Sequence, residues 1–131
     1  MSRYLVDTSI FIAAEQRRPL TQAPAGEARI SVATLTELGV GVRRAEGQSL
    51  IHLRQTTLAR ARRFIAMPYD EPVAERSAEL LAAARMHRRR AGAMDAIIGA
   101  TAIVHDLIVW TQDDDFEVLA GLMPDLRVQR G

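Results

Sequence analysis

Six acidic residues at four places in this 131-residue chain have the types and spacing to do chemistry together. Asp113, Asp114 and Asp115 come two residues after the apolar run Leu107-Ile-Val-Trp110. Carboxylates packed this closely repel one another unless solvent or a cation compensates. The apolar run is short and rich in β-branched residues, which reads as a strand buried on both faces. Open α/β sheets place their ligands at the C-terminal ends of such strands. Asp7 ends a second run of this kind, and Glu37 and Asp95 fall in the first turns of expected helices. In a parallel α/β sheet, strand C-termini and the helix N-termini that follow share one edge, so acids far apart in sequence meet there. The competing reading is bland. A lone acid at any of these places is an ordinary helix cap, and the acidic turn reads equally as a solvated cap for a helix starting at Phe116. Asp95 resists that reading, because its helix is otherwise apolar and a buried carboxylate without a partner is costly.

The elements that must position these acids alternate along the chain. Arg3 to Ser9 holds a short buried strand ending on Asp7, and Asp7, Thr8 or Ser9 is placed to cap the helix that Ile10 begins. Arg17 to Gly26, with two prolines, is a loop. Ala28–Ala33 reads as a second strand, after which Thr34 or Thr36 caps a helix closed at Gly47. Ser49 starts another helix, with arginines on the face opposite Leu50, Leu53, Thr57, Ala61 and Phe64. Ile65–Tyr69 is a weak third strand, and Glu71-Pro72 opens a long helix. That helix ends on Arg85, Arg88, Arg89 and Arg90 before Gly92. Met94–Val104 is nearly all apolar or small and reads as a helix buried on most sides. Leu107–Trp110, a short helix over Phe116–Leu119 and an edge strand Leu126–Gln129 complete the order. A helix separates every pair of strands, which is the signature of a parallel sheet with helices on both faces. The length suits one domain, and no repeat or linker divides it.

Composition removes several function classes. There is no cysteine, so disulfides and thiolate metal sites are excluded, and any metal must be held by oxygen or histidine. Cysteine-free composition fits a reducing cytoplasm. All 17 basic residues are arginine. Walker-type phosphate loops and Schiff-base enzymes need lysine and are ruled out. A phosphoryl-accepting receiver domain shares this size and alternation, but it too relies on a lysine and is set aside. The net charge of +1 does not by itself announce a nucleic-acid binder. The start is too short in apolar residues for a signal peptide, and Ala96–Val104 is far below the roughly 18 apolar residues of a membrane span. A soluble protein is expected.

Four segments then carry a resemblance. Leu5-Val-Asp-Thr-Ser9, Thr36-Glu-Leu38, Asp95-Ala-Ile-Ile-Gly-Ala100 and Thr111-Gln-Asp-Asp-Asp-Phe116 resemble the motifs of the PIN-domain ribonucleases, in order and over essentially the whole chain. Within that family the chain is most similar to the VapC toxins of bacterial toxin–antitoxin pairs. The resemblance implies an α/β, PIN-like three-layer fold over residues 1–131, with a central, mostly parallel sheet and helices on both faces. It implies that Asp7, Glu37, Asp95 and Asp113 are the catalytic, metal-binding acids and that Asp115 matches a fifth, less uniformly used one. Asp114 fills a variable position. Thr8 and Thr111 match the family's supporting hydroxyls. Gly99 stands where alanine is common, a conservative difference.

Carboxylates without histidine or cysteine form a hard-oxygen site that suits Mg²⁺ or Mn²⁺. His52, His87 and His105 fall on helices away from the acidic edge and read as surface or helix-end residues. A metal so held activates water and neutralises phosphate charge in an in-line displacement, and the resemblance implies RNA as substrate, with 5′-phosphate and 3′-hydroxyl products. Arg88, Arg89 and Arg90, with Arg85, are candidates to grip the RNA backbone; the alternative is a solvated helix end, where the dipole favours arginine. The resemblance also implies a small VapB-like antitoxin as partner and pairing of toxin subunits as homodimers. Apolar grooves for the partner are expected on the helices Ser31–Arg44 and Leu50–Ile65. A PIN nuclease of RNA maturation, and a non-catalytic PIN scaffold, are the alternative functions.

Overall fold

Five strands line up in the order β3-β2-β1-β4-β5 in the computed structural model, which describes residues 2–131. Along the chain the elements are β1 (Arg3–Val6), α1 (Thr8–Glu15), β2 (Glu27–Ser31), α2 (Val32–Arg44), α3 (Gln48–Ala61) and β3 (Ile65–Met67). There follow α4 (Glu71–Met86), α5 (Ala93–His105), β4 (Ile108–Thr111), α6 (Asp115–Leu122) and β5 (Arg127–Arg130). Every neighbouring pair of strands is parallel, so the sheet expected to be mostly parallel is wholly so among the described residues. The cause is in the connections. Each carries at least one helix back across the sheet, and parallel neighbours require such a crossover.

The chain builds outward from β1 through β2 to β3, then returns to place β4 on the other side of β1. The strand order therefore reverses between β1 and β4, and the segments leaving these two strands diverge to opposite faces. A crevice opens outside the strand ends at such a switch point. The pleat divides the core accordingly. Leu5 and Val109 pack with Val73 and Leu80 of α4, Ala96 and Ile98 of α5, and Phe116 and Leu119 of α6. Val6 and Ile30 pack with Ile10 and Phe11 of α1, Leu38 of α2, and Leu58 and Ala61 of α3. These are the three layers.

Several boundaries differ from those the sequence suggests. The cap of α2 is Ser31, whose Oγ accepts from the Ala33 backbone N–H at 3.0 Å, rather than Thr34 or Thr36. Strand β2 therefore runs straight into the helix without a loop. Thr34 is instead fully buried, and Thr36 lies within the helix. A consequence is that Glu37 sits in the second turn of α2, not the first. Helix α3 begins at Gln48, capped by Gly47, whose φ of 87° is open to glycine at little cost. β3 stops at Met67 because Pro68 has no N–H for the ladder. No helix among the described residues is long and apolar enough to cross a membrane.

Candidate active site

Adjacent β1 and β4 bring two junctions side by side, and the Asp7 N–H donates to Trp110 O at 3.0 Å. Asp7 is the N-cap of α1: its Oδ2 accepts from the Ser9 N–H at 3.3 Å. The same oxygen accepts from Ser9 Oγ at 2.6 Å and from Thr111 Oγ1 at 2.8 Å. The cap reading and the site reading thus meet in one residue. Asp7 is only 3 % exposed, and this burial pushes its carboxyl above the usual range, against the pull of the hydroxyls and amides that bond it.

Thr8 lies on the other side of the junction. Its Oγ1 donates to Glu37 Oε1 at 2.7 Å and lies 3.0 Å from Thr34 Oγ1, which ties α1 to α2. Glu37 is raised by burial first; Thr8 opposes this, and repulsion from Asp7 and Asp113 adds to it. Asp95, in the first turn of α5, is the most perturbed: its carboxyl is pushed up to about 7. Burial is the largest cause, followed by repulsion from Asp113, Asp7, Glu37 and Asp115.

All four expected acids thus sit at one sheet edge, where Asp7 and Asp113 act on both Glu37 and Asp95. The tightest group, however, is a different one. One oxygen from each of Asp95, Asp113 and Asp115 lies within 4.8 Å of the other two. Asp115 joins that group because α6 begins on it, and its backbone N–H donates to Asp113 Oδ1 at 2.9 Å. Asp7 and Glu37 lie outside that group, although both repel Asp95 more strongly than Asp115 does; Asp114 pairs with Arg130 Nη1 at 2.8 Å and is 85 % exposed. An all-oxygen donor set with uncompensated negative charge is what a hard divalent cation fits. The observation that carries this is the convergence of three carboxylates with no salt bridge to any of them among the described residues; burial first, and then the neighbouring acids, push Asp95 up to about 7.

The remaining expected residues are more scattered. Arg88, Arg89 and Arg90 are exposed in the loop between α4 and α5, with Arg88 left-handed at φ 54°, and none forms a salt bridge among the described residues. That loop ends at Gly92, where an added methyl would lie 4.0 Å from Asp95 Oδ2, so the arginine-bearing segment runs up to the Asp95 carboxylate. His87 caps α4, His52 is exposed on α3 and His105 ends α5; none belongs to the acidic group. Two hydroxyls were expected only as helix caps and stand in the site instead. Ser9 bridges Asp7 to the loop after β4, and Thr34 lies against Thr8. The sequence signal for Ser9 is its place in the Leu5-Val-Asp-Thr-Ser9 segment, two residues after Asp7; Thr34 has none beyond its candidacy as a cap.

The site has relatives. Residues 4–122 match the family model described as PIN domain. The chain is 39% identical over 127 residues to Ribonuclease VapC4 of Mycobacterium tuberculosis, covering 96% of this chain and 95% of that one. It is 36% identical over 118 residues to Ribonuclease VapC5 of the same organism, covering 89% and 87%. Among solved structures, that of VapBC-5 from Mycobacterium tuberculosis, a member of the VapBC family of toxin–antitoxin systems, superposes with a TM-score of 0.85 at 32% identity, over 100% of both chains. FitAcB from Neisseria gonorrhoeae gives a TM-score of 0.68 at 28% identity over 95% of each chain.

Proposed function

The chain belongs to the PIN-domain family, and from that premise we propose that it is an endoribonuclease of the VapC kind, the toxin of a toxin–antitoxin pair. It hydrolyses RNA phosphodiesters at the carboxylate edge with Mg²⁺, which Mn²⁺ can replace. The observation that carries this reading is the meeting of Asp7, Glu37, Asp95, Asp113 and Asp115 at one edge, with Asp95 raised by burial and then by the other four. A scaffold that only binds partners has no use for a cluster whose members repel one another.

Asp95, Asp113 and Asp115 would hold the cation most closely, with Asp7 and Glu37 beside them. Bound there, it supplies an activated water and offsets the charge that develops on the phosphate. The chain's own groups do the rest. Three donors converge on Asp7 Oδ2, which leaves Oδ1 as the oxygen without a side-chain donor. Thr8 fixes one oxygen of Glu37, and Thr111 Oγ1 accepts from the Asp113 N–H at 2.8 Å while donating to Asp7, so it orients both acids.

RNA must approach this acidic edge, and Arg88, Arg89 and Arg90 lie on the segment that leads through Gly92 to Asp95, with no salt bridge among the described residues. Changing all three to Gln is expected to raise KM with kcat nearly unchanged. The slope of log affinity against log salt should fall by about 2, at roughly 0.7 per lost single-strand phosphate contact. An unchanged slope would return these arginines to the role of a solvated helix end.

The solved relative with a TM-score of 0.85 belongs to a toxin–antitoxin system, and an antitoxin is proposed here too. Its seat is a groove of about 470 Å³ between α1, α2 and α3, where Ile12, Leu38 and Val40 lie among Glu15, Glu37, Arg44 and Arg54. Val40, Leu50 and Leu53 are exposed on the two helices, which suits the apolar face of a partner helix. Pairing of two copies and a cytoplasmic location complete the proposal. It is tested by incubating the purified protein with RNA and Mg²⁺. Products should carry 5′-phosphate and 3′-hydroxyl ends, and EDTA should stop their formation. Cleavage that survives EDTA, or that leaves 2′,3′-cyclic phosphates, would contradict it.

A further inference from the structure

We propose that Ser9 is a positioning residue of the carboxylate centre. Its hydroxyl locks Asp7 to the backbone of the acidic turn and so sets where Asp7 and Asp113 stand for a cation; this rests on the cation reading above.

A serine hydroxyl has one proton to give and lone pairs to accept with. Ser9 Oγ gives its proton to Asp7 Oδ2 at 2.6 Å, a length typical of a bond to an ionised oxygen. It accepts from the Gln112 N–H at 2.9 Å. Thr111 repeats the pattern one residue further on: its Oγ1 donates to the same Asp7 oxygen at 2.8 Å and accepts from the Asp113 N–H at 2.8 Å. The two hydroxyl oxygens are 3.1 Å apart. Two successive amides of the turn therefore hang on two hydroxyls whose protons both end on one carboxylate oxygen. In such a chain each bond polarises the next. From Asp113 the connection continues, since its Oδ1 accepts from the Asp115 N–H.

Thr111 belongs to β4 and holds the turn from its own strand. Ser9 belongs to α1, so it carries the β1–α1 junction onto the backbone of the β4–α6 turn, alongside the direct Thr111–Asp7 bond. Helix capping does not explain it. The cap of α1 is made by the Ser9 backbone N–H on Asp7, and removing the hydroxyl leaves that bond in place. What the hydroxyl adds is the shortest donor to Asp7 and an acceptor for Gln112.

The test uses the full chain and Mn²⁺ alone as probe. By calorimetry, Ser9→Ala should bind Mn²⁺ about 10- to 100-fold more weakly than the parent, the range for loss of a group that orients a metal ligand. Ser9→Thr, which keeps the hydroxyl, should stay within a few-fold. Without metal, amide exchange at Gln112 should accelerate in Ser9→Ala and stay slow in Ser9→Thr, while the core amides of β1 and β4 report an intact fold. Ser9→Cys keeps the volume but offers weaker bonds, so it should weaken binding in the same direction even if Ser9→Ala does not fold. A parent that fails to bind Mn²⁺ would remove the cation reading and this inference with it. A parent that binds, beside Ser9→Ala or Ser9→Cys of equal affinity and equal Gln112 protection, would overturn the role of Ser9 alone. Equal weakening in Ser9→Thr and Ser9→Ala would also overturn it, because shape rather than the hydroxyl would then matter.

Discussion

Asp95→Asn is expected to abolish RNA cleavage, lowering kcat/KM by at least about a hundred-fold, while the metal-free protein melts at the same or a higher temperature at pH 8. The activity loss follows from removing charge at the centre of the tightest acidic group; losing even an outer-shell partner of a metal costs about 10- to 100-fold, and a ligand more. The stability gain follows from what raises this carboxyl to about 7: burial, and the neighbouring Asp113, Asp7, Glu37 and Asp115. At pH 8 the side chain must ionise against both in the folded state, and an amide is spared that cost. Thermal melts and initial rates on the same preparations check both halves. Near-normal rates in Asp95→Asn at limiting Mg²⁺ would remove Asp95 from the centre. Asp7→Asn should be equally inactive but should not share the stability gain. The three donors that converge on Asp7 Oδ2 would meet a neutral amide oxygen in its place, which accepts them more weakly than an ionised carboxylate and so offsets the relief of burial.

The second large effect is on melting temperature, and its sign depends on pH. Asp95 has its folded pKa raised to about 7 from an ordinary 3.8, and Asp7 and Glu37 are raised as well. For a raised carboxyl the folded state binds more protons than the unfolded chain between the two values. Metal-free stability therefore falls as pH climbs from about 4 to about 7, and the full penalty persists above that. A divalent cation offsets the same charge and binds the folded form, so it should raise the melting temperature. The rise should be largest near pH 8 and shrink below pH 7, where the ion must displace a proton from Asp95. Asp114→Asn is the control. Asp114 is exposed and engaged with Arg130, so its loss should leave the metal-induced rise intact, whereas Asp113→Asn should diminish it. Equal losses in the two variants would mean that the wrong acid of the turn has been assigned.

The layered parallel fold was legible because its signals are local. Apolar runs at Leu5–Val6 and Ile108–Val109, each followed by a helix, leave few arrangements open. The edge on which the acids fall was legible for the same reason, since every one of them sits just beyond a strand or near a helix start. What stayed hidden depends on contacts between distant segments. Ser31 takes the cap of α2 because its hydroxyl lies buried at the sheet end within reach of the Ala33 amide, and nothing local ranks it above Thr34 or Thr36. Ser9 and Thr111 are 102 positions apart and meet only because β4 is laid beside β1. The place of Asp115 in one group with Asp95 and Asp113 is set by where α6 begins. A one-residue change in that start would turn its carboxylate away.

Crystals equilibrated with Mn²⁺ at millimolar concentration, measured for anomalous scattering, address the central claim most directly. A strong peak is expected at the C-terminal edge of β1 and β4, with carboxylate oxygens of Asp95 and Asp113 at about 2.1 Å, close to the lengths hard cations of this size adopt. Asp95→Asn crystals should lack that peak. No peak at this edge in the parent protein, or one held by acids elsewhere on the chain, would contradict it.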